Sequence, residues 1–311
     1  MIELEGVTKK YGHLTALQGV TFQVQKNETI GLLGRNGAGK TTLLNLMTGY
    51  FPPDAGHIRI AGQDMRENPA ACKRMIGYLP EKPPLYDEMT VESYLWFVCE
   101  LREVKKNGIR AHVEDILTLC GLTEVRSRVL GHLSKGFRQR AGIAQALCGA
   151  PEILILDEPT VGLDPKQTAE MRNLIRLLSK EHTVIFSSHI LTEVQQACTR
   201  VLILEEGQLV RDYDLLQPES GLLSLRLTVA GEAEQILKQL RRLEGFNDAV
   251  LLCSAGAGTA EVRVTLESGK DHGAALDRAF RRLADSGLAV RMMREEKETL
   301  EEVFLRVIRL Q

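Results

Sequence analysis

The segment that decides the fold reads Gly34-Arg35-Asn36-Gly37-Ala38-Gly39-Lys40-Thr41. It fits the pattern G-x-x-x-x-G-K-[ST], in which a glycine-rich loop turns successive backbone N–H groups towards phosphate oxygens. The apolar run 29–33 before it predicts a strand, and the run 42–47 after it predicts a helix, whose N-terminus adds positive charge. The sequence therefore predicts a phosphate-binding loop between a strand and a helix.

Two side chains of this loop have specific predicted roles. Lys40 would reach the β- and γ-phosphates of a nucleotide, and the Thr41 hydroxyl would ligate magnesium. A glycine-rich turn that binds nothing would match the pattern by chance on the order of once in a hundred such chains. The predicted nucleotide-binding residues of the loop are Gly34, Asn36, Gly37, Ala38, Gly39, Lys40, Thr41 and Thr42.

A second segment, Ile153-Leu154-Ile155-Leu156-Asp157-Glu158, is an aliphatic run that ends in two carboxylates. Because adjacent side chains of a strand point to opposite sides, we expect Asp157 to face magnesium and Glu158 to face the γ-phosphate. A carboxylate in that position can polarise an attacking water as general base. The alternative is a solvated Asp-Glu pair at the start of a loop, which the phosphate-binding loop disfavours.

A third segment, Leu133-Ser134-Lys135-Gly136-Phe137-Arg138-Gln139-Arg140, opens a helical pattern. Ser134 and Gly136 would present a hydroxyl and free backbone N–H groups at a helix N-terminus, which is a site for an anion. Considered alone, Ser134 could equally be the N-cap of the helix over 135–148.

Apolar runs alternate with helical patterns over about the first 215 residues, which favours an α/β layer fold with a largely parallel sheet. The opening 1–24 is typical of antiparallel strands. The region of about 82–150 is dominated by helical patterns and indicates an inserted helical subdomain.

The pattern changes after the turn-rich segment 217–221. Beyond it the order β-α-β-β-α-β indicates a small α+β, ferredoxin-like domain, with an added helix at about 297–309. We therefore predict two domains, an ATPase domain over 1–215 and an accessory or regulatory domain over 216–311.

The order of the three segments resembles that of the nucleotide-binding subunits of ATP-binding cassette (ABC) transporters, over about 2–215. The signature of that family reads LSGGQ and here reads LSKGF at 133–137, so that Lys135 and Phe137 replace a glycine and the glutamine. The resemblance implies an α/β P-loop NTPase cassette with a RecA-like core, an antiparallel β subdomain and a helical subdomain. It also implies a homodimer or heterodimer of cassettes facing head to tail, with ATP between the phosphate-binding loop of one and Ser134 and Gly136 of the other.

Four more positions acquire roles through the resemblance. Tyr11 lies where the family stacks an aromatic ring on adenine, and Asp164 belongs to the loop that crosses the dimer interface. Glu81 replaces a glutamine that contacts magnesium and the attacking water; a carboxylate can ligate magnesium but cannot donate a hydrogen bond when ionised. His189 corresponds to a histidine that contacts the γ-phosphate. Without the resemblance, Tyr11 would be a strand-end tyrosine and His189 a structural histidine.

The resulting catalytic set is Lys40, Glu81, Glu158 and His189. The magnesium ligands are Thr41, Glu81 and Asp157, and the cofactors are ATP and Mg²⁺.

The segments GYLPE at 77–81, LSKGFRQR at 133–140 and ETLEEVF at 298–304 resemble ATP-binding subunits of ABC-2 type exporters, including the gliding-motility and multidrug-export-like groups. In that group the ATPase is a polypeptide separate from the membrane permease.

We expect the permease to dock near Leu85, Tyr86 and Met89, whereas Trp96 and Phe97 are expected in the core of the helical subdomain. The resemblance implies a cytoplasmic subunit on the inner face of the cell membrane. In agreement, the longest run without Asp, Glu, Lys or Arg, 11–25, has 15 residues, shorter than a membrane-spanning helix.

The composition argues against a nucleic-acid partner. The formal net charge is -2 over 311 residues, and the pI of about 6.4 gives no sign of an overall basic surface. The alternative function is that of an ABC-superfamily ATPase acting on ribosomes or nucleic acid without a permease. In a third interpretation, the C-terminal domain is the functional part, as a regulatory or dimerising module.

Overall fold

The computed structural model describes residues 1–215, 222–255, 258–267 and 272–295. The chain divides into two compact units, Met1–Leu216 and Gln217–Gln311. The predicted break near 217–221, the segment 298–304 and the predicted helix at 297–309 lie outside the described residues. In the part of the chain that is described, no helix combines the length and the hydropathy that a membrane span needs.

The first unit begins with a four-stranded antiparallel sheet, as predicted for the opening of the chain. Its strands lie in the order β2-β1-β4-β5 and comprise β1 (Ile2–Tyr11), β2 (Leu14–Val24), β4 (Ala55–Ile60) and β5 (Gln63–Asp64). Alternate side chains of β1 and β4 enter the core, which is the usual pattern when only one face of a sheet is covered.

A six-stranded sheet forms the centre of this unit, in the order β10-β9-β3-β8-β7-β6. The strands are β3 (Thr29–Leu33), β6 (Ile76–Leu79), β7 (Ile153–Leu156), β8 (Thr183–Ser188), β9 (Arg200–Glu205) and β10 (Gln208–Asp214). Five of them are parallel, and β10 pairs antiparallel with β9. Every residue of β3, β7 and β8 is buried, as expected for a parallel sheet covered on both faces.

Seven α-helices belong to the described part of the first unit, residues 1–215. They are α1 (Lys40–Met47), α2 (Pro69–Arg74), α3 (Val91–Leu101), α4 (Lys106–Leu119), α5 (Lys135–Leu147), α6 (Pro165–Leu178) and α7 (Leu191–Ala197). Helices α3, α4 and α5 lie between β6 and β7 in the chain, where the sequence predicts the helical subdomain. The long connection allows β6 and β7 to pair in parallel as neighbours.

The expectation that Trp96 belongs to the core of the helical subdomain is wrong. The buried residues of α3 are Val91, Tyr94, Leu95, Val98 and Cys99, which recur at helical spacing on one face. Trp96 lies off that face, and its side chain is 38% exposed. Phe97 is half-buried.

The second unit has the predicted β-α-β-β-α-β order. Its elements are β11 (Leu222–Ala230), α8 (Ala233–Leu240), β12 (Phe246–Ala255), β13 (Thr259–Glu267), α9 (His272–Asp285) and β14 (Ala289–Glu295). The sheet is antiparallel in the order β12-β13-β11-β14, which is the split βαβ arrangement. Leu225, Leu227 and Val229 alternate along β11 into a core shared with α8 and α9.

Candidate functional site

A cavity of about 980 Å³ opens at the edge where strands of the central sheet end. The loops after β3, β6, β7 and β8 all reach it, because the carboxyl ends of parallel strands meet at one edge. Its volume is at the upper end of the range for small-molecule sites. The predicted residues that line it are Tyr11, Asn36, Gly37, Gly39, Lys40, Thr41, Thr42, Glu81, Glu158 and His189.

The phosphate-binding loop needs glycine at two positions. At Gly39, the N-cap residue of α1, φ is 102°, and a Cβ would lie 2.7 Å from the carbonyl oxygen of Ala16. At Gly34 a Cβ would lie 2.5 Å from the carbonyl oxygen of Leu204. The loop is therefore held tightly against the neighbouring strands. Ala38 is buried behind it.

Lys40 links the loop to the end of β7. Its side chain is almost completely buried, and Nζ donates hydrogen bonds to the carbonyl oxygens of Gly34 at 2.8 Å and Arg35 at 3.2 Å. The same Nζ lies 3.4 Å from Oε1 of Glu158. An ammonium group at this point is within reach of phosphate oxygens that the loop would hold.

Glu158 lies between Lys40 and His189 in the cavity. Its Oε1 faces Lys40, and its Oε2 lies 2.9 Å from Nδ1 of His189. The residue is only 8% exposed, and its φ of 47° places the backbone in the left-handed region. Residues with a Cβ seldom adopt this conformation, and such strain concentrates at functional sites.

Asp157 is fully buried beside it. Its Oδ1 accepts a 2.6 Å hydrogen bond from the hydroxyl of Ser187, and its buried Oδ2 has no hydrogen-bond partner among the described residues. Burial raises the pKa of Asp157, the hydroxyls of Ser187 and Thr41 lower it, and the nearby carboxylates of Glu158 and Glu81 raise it further. A cation would relieve both the unpartnered oxygen and the repulsion between carboxylates.

These residues fit a magnesium ion, which favours oxygen ligands and is bound by one or two carboxylates together with substrate phosphates. The described residues contain no group of three His, Cys, Asp or Glu side chains able to hold a metal. The Thr41 hydroxyl and phosphate oxygens would therefore have to complete the coordination.

Ser134, Gly136 and Asp164 form a second group, which does not line the cavity. Ser134 occupies the N-cap position of α5 but makes no capping hydrogen bond with its side chain. Asp164 caps α6, since its Oδ1 accepts a 2.8 Å hydrogen bond from the N–H of Gln167. The side chain of Lys135 lies against Gly162, in the loop just before Asp164. A Cβ placed on Gly162 would be 2.1 Å from the Nζ of Lys135.

The residues predicted to meet a permease lie between β6 and α3. Tyr86 is 52% exposed, and its ring lies 5.8 Å from that of Tyr94 and 5.5 Å from that of Phe97. Leu85 and Met89 are half-buried. These aromatic contacts hold Tyr86 in place at the surface.

Several side chains of the site were not predicted from the sequence. Thr15, Gln18 and Gln208 line the cavity from β2 and β10. The motif pattern contains no signal for them, since they come from distant parts of the chain. Ser187 carried one weak signal, since it is a small polar residue that follows the apolar centre of its strand.

The fold and the cavity define a class: an ATPase built around a phosphate-binding loop with a carboxylate-ended strand beside it. The family model described as ABC transporter matches residues 17–161. A bacitracin transport ATP-binding protein of Bacillus licheniformis is 32% identical over 99% of this chain and 97% of its own length. A Nod factor export ATP-binding protein of Burkholderia orbicola is 33% identical over 71% of this chain and 74% of its own length.

A solved ATP-binding subunit of an ABC transporter superposes with a TM-score of 0.63 at 29% identity, over 69% of this chain and 90% of that one. The chain belongs to the ATP-binding subunits of ABC transporters. It binds and hydrolyses ATP to drive transport, and members of the family dimerise and work with membrane permease components.

Proposed function

We propose that this chain is the ATPase of an ABC-2 type exporter, acting from the cytoplasmic face of the cell membrane on separate permease subunits. Support comes from the bacitracin transport and Nod factor export relatives and from the GYLPE and LSKGFRQR segments. The alternative is an ATPase that acts on ribosomes or nucleic acid. The near-neutral net charge of the chain does not support it. The observation that carries the proposal is the carboxylate of Glu158 between Lys40 and His189.

The proposed chemistry follows from these contacts. Magnesium, held by Thr41 and Asp157 with help from Glu81, would neutralise charge on the phosphates. Lys40 binds the β- and γ-phosphates. Glu158 accepts a proton from the attacking water, and His189 holds the Glu158 carboxylate and contacts the γ-phosphate. The left-handed backbone of Glu158 fixes the direction in which its carboxylate approaches.

The second group of residues supports a composite site. Ser134 and Gly136 lie at the N-terminus of α5 and do not line the cavity of their own chain. The hydroxyl of Ser134 makes no capping hydrogen bond to the helix. We propose that they bind the nucleotide held by a second cassette, with Asp164 at the interface. The free N–H groups and the dipole of α5 would then stabilise the γ-phosphate.

The central experiment is to purify the tagged subunit from detergent-solubilised membranes of its own cells, together with the proteins bound to it, and to reconstitute the complex in vesicles. The proposal expects a detergent-stable complex with a multi-span protein and ATP-dependent transport by vesicles. Recovery of the subunit with ribosomes or DNA instead of a membrane protein would contradict it.

Stacking of adenine on Tyr11 gives a quantitative prediction. The ring lines the cavity and rests edge-on against Phe51 at 5.9 Å. Because an aromatic pair contributes about 0.5–1.5 kcal/mol, Tyr11→Ala should weaken ATP binding about 3- to 10-fold by calorimetry and leave binding of inorganic triphosphate unchanged.

The matched control is Tyr50→Ala. Tyr50 also packs on Phe51, at 5.7 Å, but does not line the cavity. Equal loss of ATP affinity in both variants, or equal loss of triphosphate affinity for Tyr11→Ala, would argue against a base-stacking role.

Permease docking at Tyr86 is tested in the same way. Tyr86→Ala removes an exposed ring, so ATP hydrolysis by the isolated subunit should stay within about twofold while the permease is bound at least about 10-fold more weakly. Leu101→Ala, another exposed apolar side chain of the helical subdomain, is the control. If the Tyr86 variant binds the permease as well as the wild type does, the permease docks at a different surface of the subunit.

A further inference from the structure

The hydroxyl of Ser187 contacts the two residues that directly follow β7, Asp157 and Glu158. Its Oγ donates a 2.6 Å hydrogen bond to Oδ1 of Asp157 and accepts a 2.8 Å hydrogen bond from the backbone N–H of Glu158. Ser187 is fully buried, at the end of β8. A single hydroxyl therefore joins the proposed magnesium ligand to the proposed general base.

The sheet explains why the hydroxyl arrives there. Strands β7 and β8 run parallel with Leu156 opposite Phe186, so Asp157, the first residue after β7, comes level with Ser187, which β8 still pairs with Leu32 of β3. The following residue, Ser188, uses its hydroxyl differently and donates to Glu193 at 2.9 Å. The two neighbouring serines thus serve different partners, as alternation along a strand predicts.

The hydrogen bond to the backbone of Glu158 is the more important of the two. Glu158 has a φ of 47°, a strained conformation that persists only when the surroundings fix it. Its backbone N–H is buried, and a buried N–H that lacked an acceptor would be destabilising. Ser187 supplies that acceptor and holds the strained backbone that aims the carboxylate.

We infer that Ser187 is a positioning residue for ATP hydrolysis, which orients Asp157 and Glu158 together without touching the nucleotide. The inference rests on the proposed role of Glu158 as general base. Its effect should fall on turnover rather than on nucleotide affinity, since Lys40 and the phosphate-binding loop make no hydrogen bond with Ser187 among the contacts of the described residues.

The test is Ser187→Ala in the full chain, with kcat, KM for ATP and the ATP dissociation constant measured beside thermal unfolding. We expect kcat to fall about 10- to 100-fold, as displacement of a reacting group by about 1 Å does, while the dissociation constant stays within about twofold. Ser187→Thr, which keeps the hydroxyl, should recover most of the turnover. Ser187→Cys, with a weaker hydrogen bond, should be intermediate and gives a reading if the alanine variant does not fold.

The matched control is Thr183→Val. Thr183 is buried at the other end of β8, and its hydroxyl accepts a 2.9 Å hydrogen bond from the N–H of Asn27, far from the cavity. It should lower the unfolding temperature as Ser187→Ala does and leave kcat within about twofold. Equal kcat for Ser187→Ala and the wild type, or equal loss in both variants, overturns the inference. If Glu158→Gln loses turnover and Ser187→Ala does not, only the positioning role fails; if Glu158→Gln keeps turnover, the proposed base itself is wrong.

Discussion

Glu158→Gln is expected to lower the rate of ATP hydrolysis about 10²- to 10⁴-fold and to leave ATP binding unchanged. The amide has nearly the shape of the carboxylate but cannot accept a proton, and general-base catalysis contributes about this much. Contacts to Lys40 and His189 can persist through the amide oxygen and nitrogen, so the fold should be preserved. Two cassettes with ATP bound but no hydrolysis should accumulate as a dimer.

The measurement is phosphate release at saturating ATP, together with size-exclusion chromatography in the presence of ATP. Glu152→Gln is the control, because Glu152 lies just before the same strand, is exposed and forms a surface ion pair with Lys26 at 3.7 Å. If Glu158→Gln hydrolyses ATP at the full rate, Glu158 is not the general base.

Lys40→Met has the second large expected effect, and it falls on binding. The Nζ of Lys40 already faces the carbonyl oxygens of the loop and the Glu158 carboxylate, so its charge is available at the mouth of the phosphate-binding loop. A hydrogen bond to a charged group contributes about 1.5–3 kcal/mol, so the affinity for ATP should fall about 10- to 150-fold.

Calorimetric titration with ATP measures this loss, and adenosine, which has no phosphates, serves as the ligand control. Lys26→Met is the matched variant, since Lys26 is an exposed cation remote from the cavity. Undiminished ATP affinity for Lys40→Met would contradict the assignment of the loop. Together the two variants separate binding from chemistry, because only Lys40→Met should lose both.

The sequence predicted the elements around the site well, because short motifs there also carry the fold. The strand, loop and helix around Gly34–Thr41 and the buried strand before Asp157 lie as expected. The order of the C-terminal unit also matched, since alternation along β11 and helical spacing in α8 are strong local signals.

Tertiary relations were not accessible in the same way. The helical spacing around Trp96 contained the information that it lies off the buried face, but bulk and hydrophobicity alone gave the wrong expectation. The hydrogen bonds of Ser187 join positions 30 residues apart through strand register, which no local pattern encodes. The left-handed φ of Glu158 could not be predicted from the sequence either, since glutamate has no preference for that region.

At Glu158 the left-handed backbone conformation lowers the stability of the fold, whereas the proposed turnover needs the carboxylate of this residue. A residue with a Cβ is disfavoured there by about 1–2 kcal/mol, whereas glycine is not. Glycine or asparagine would relieve the backbone at this position, but both would remove the carboxylate that pairs with Lys40 and that we propose as the proton acceptor. The proposed chemistry therefore requires a residue that the backbone conformation disfavours.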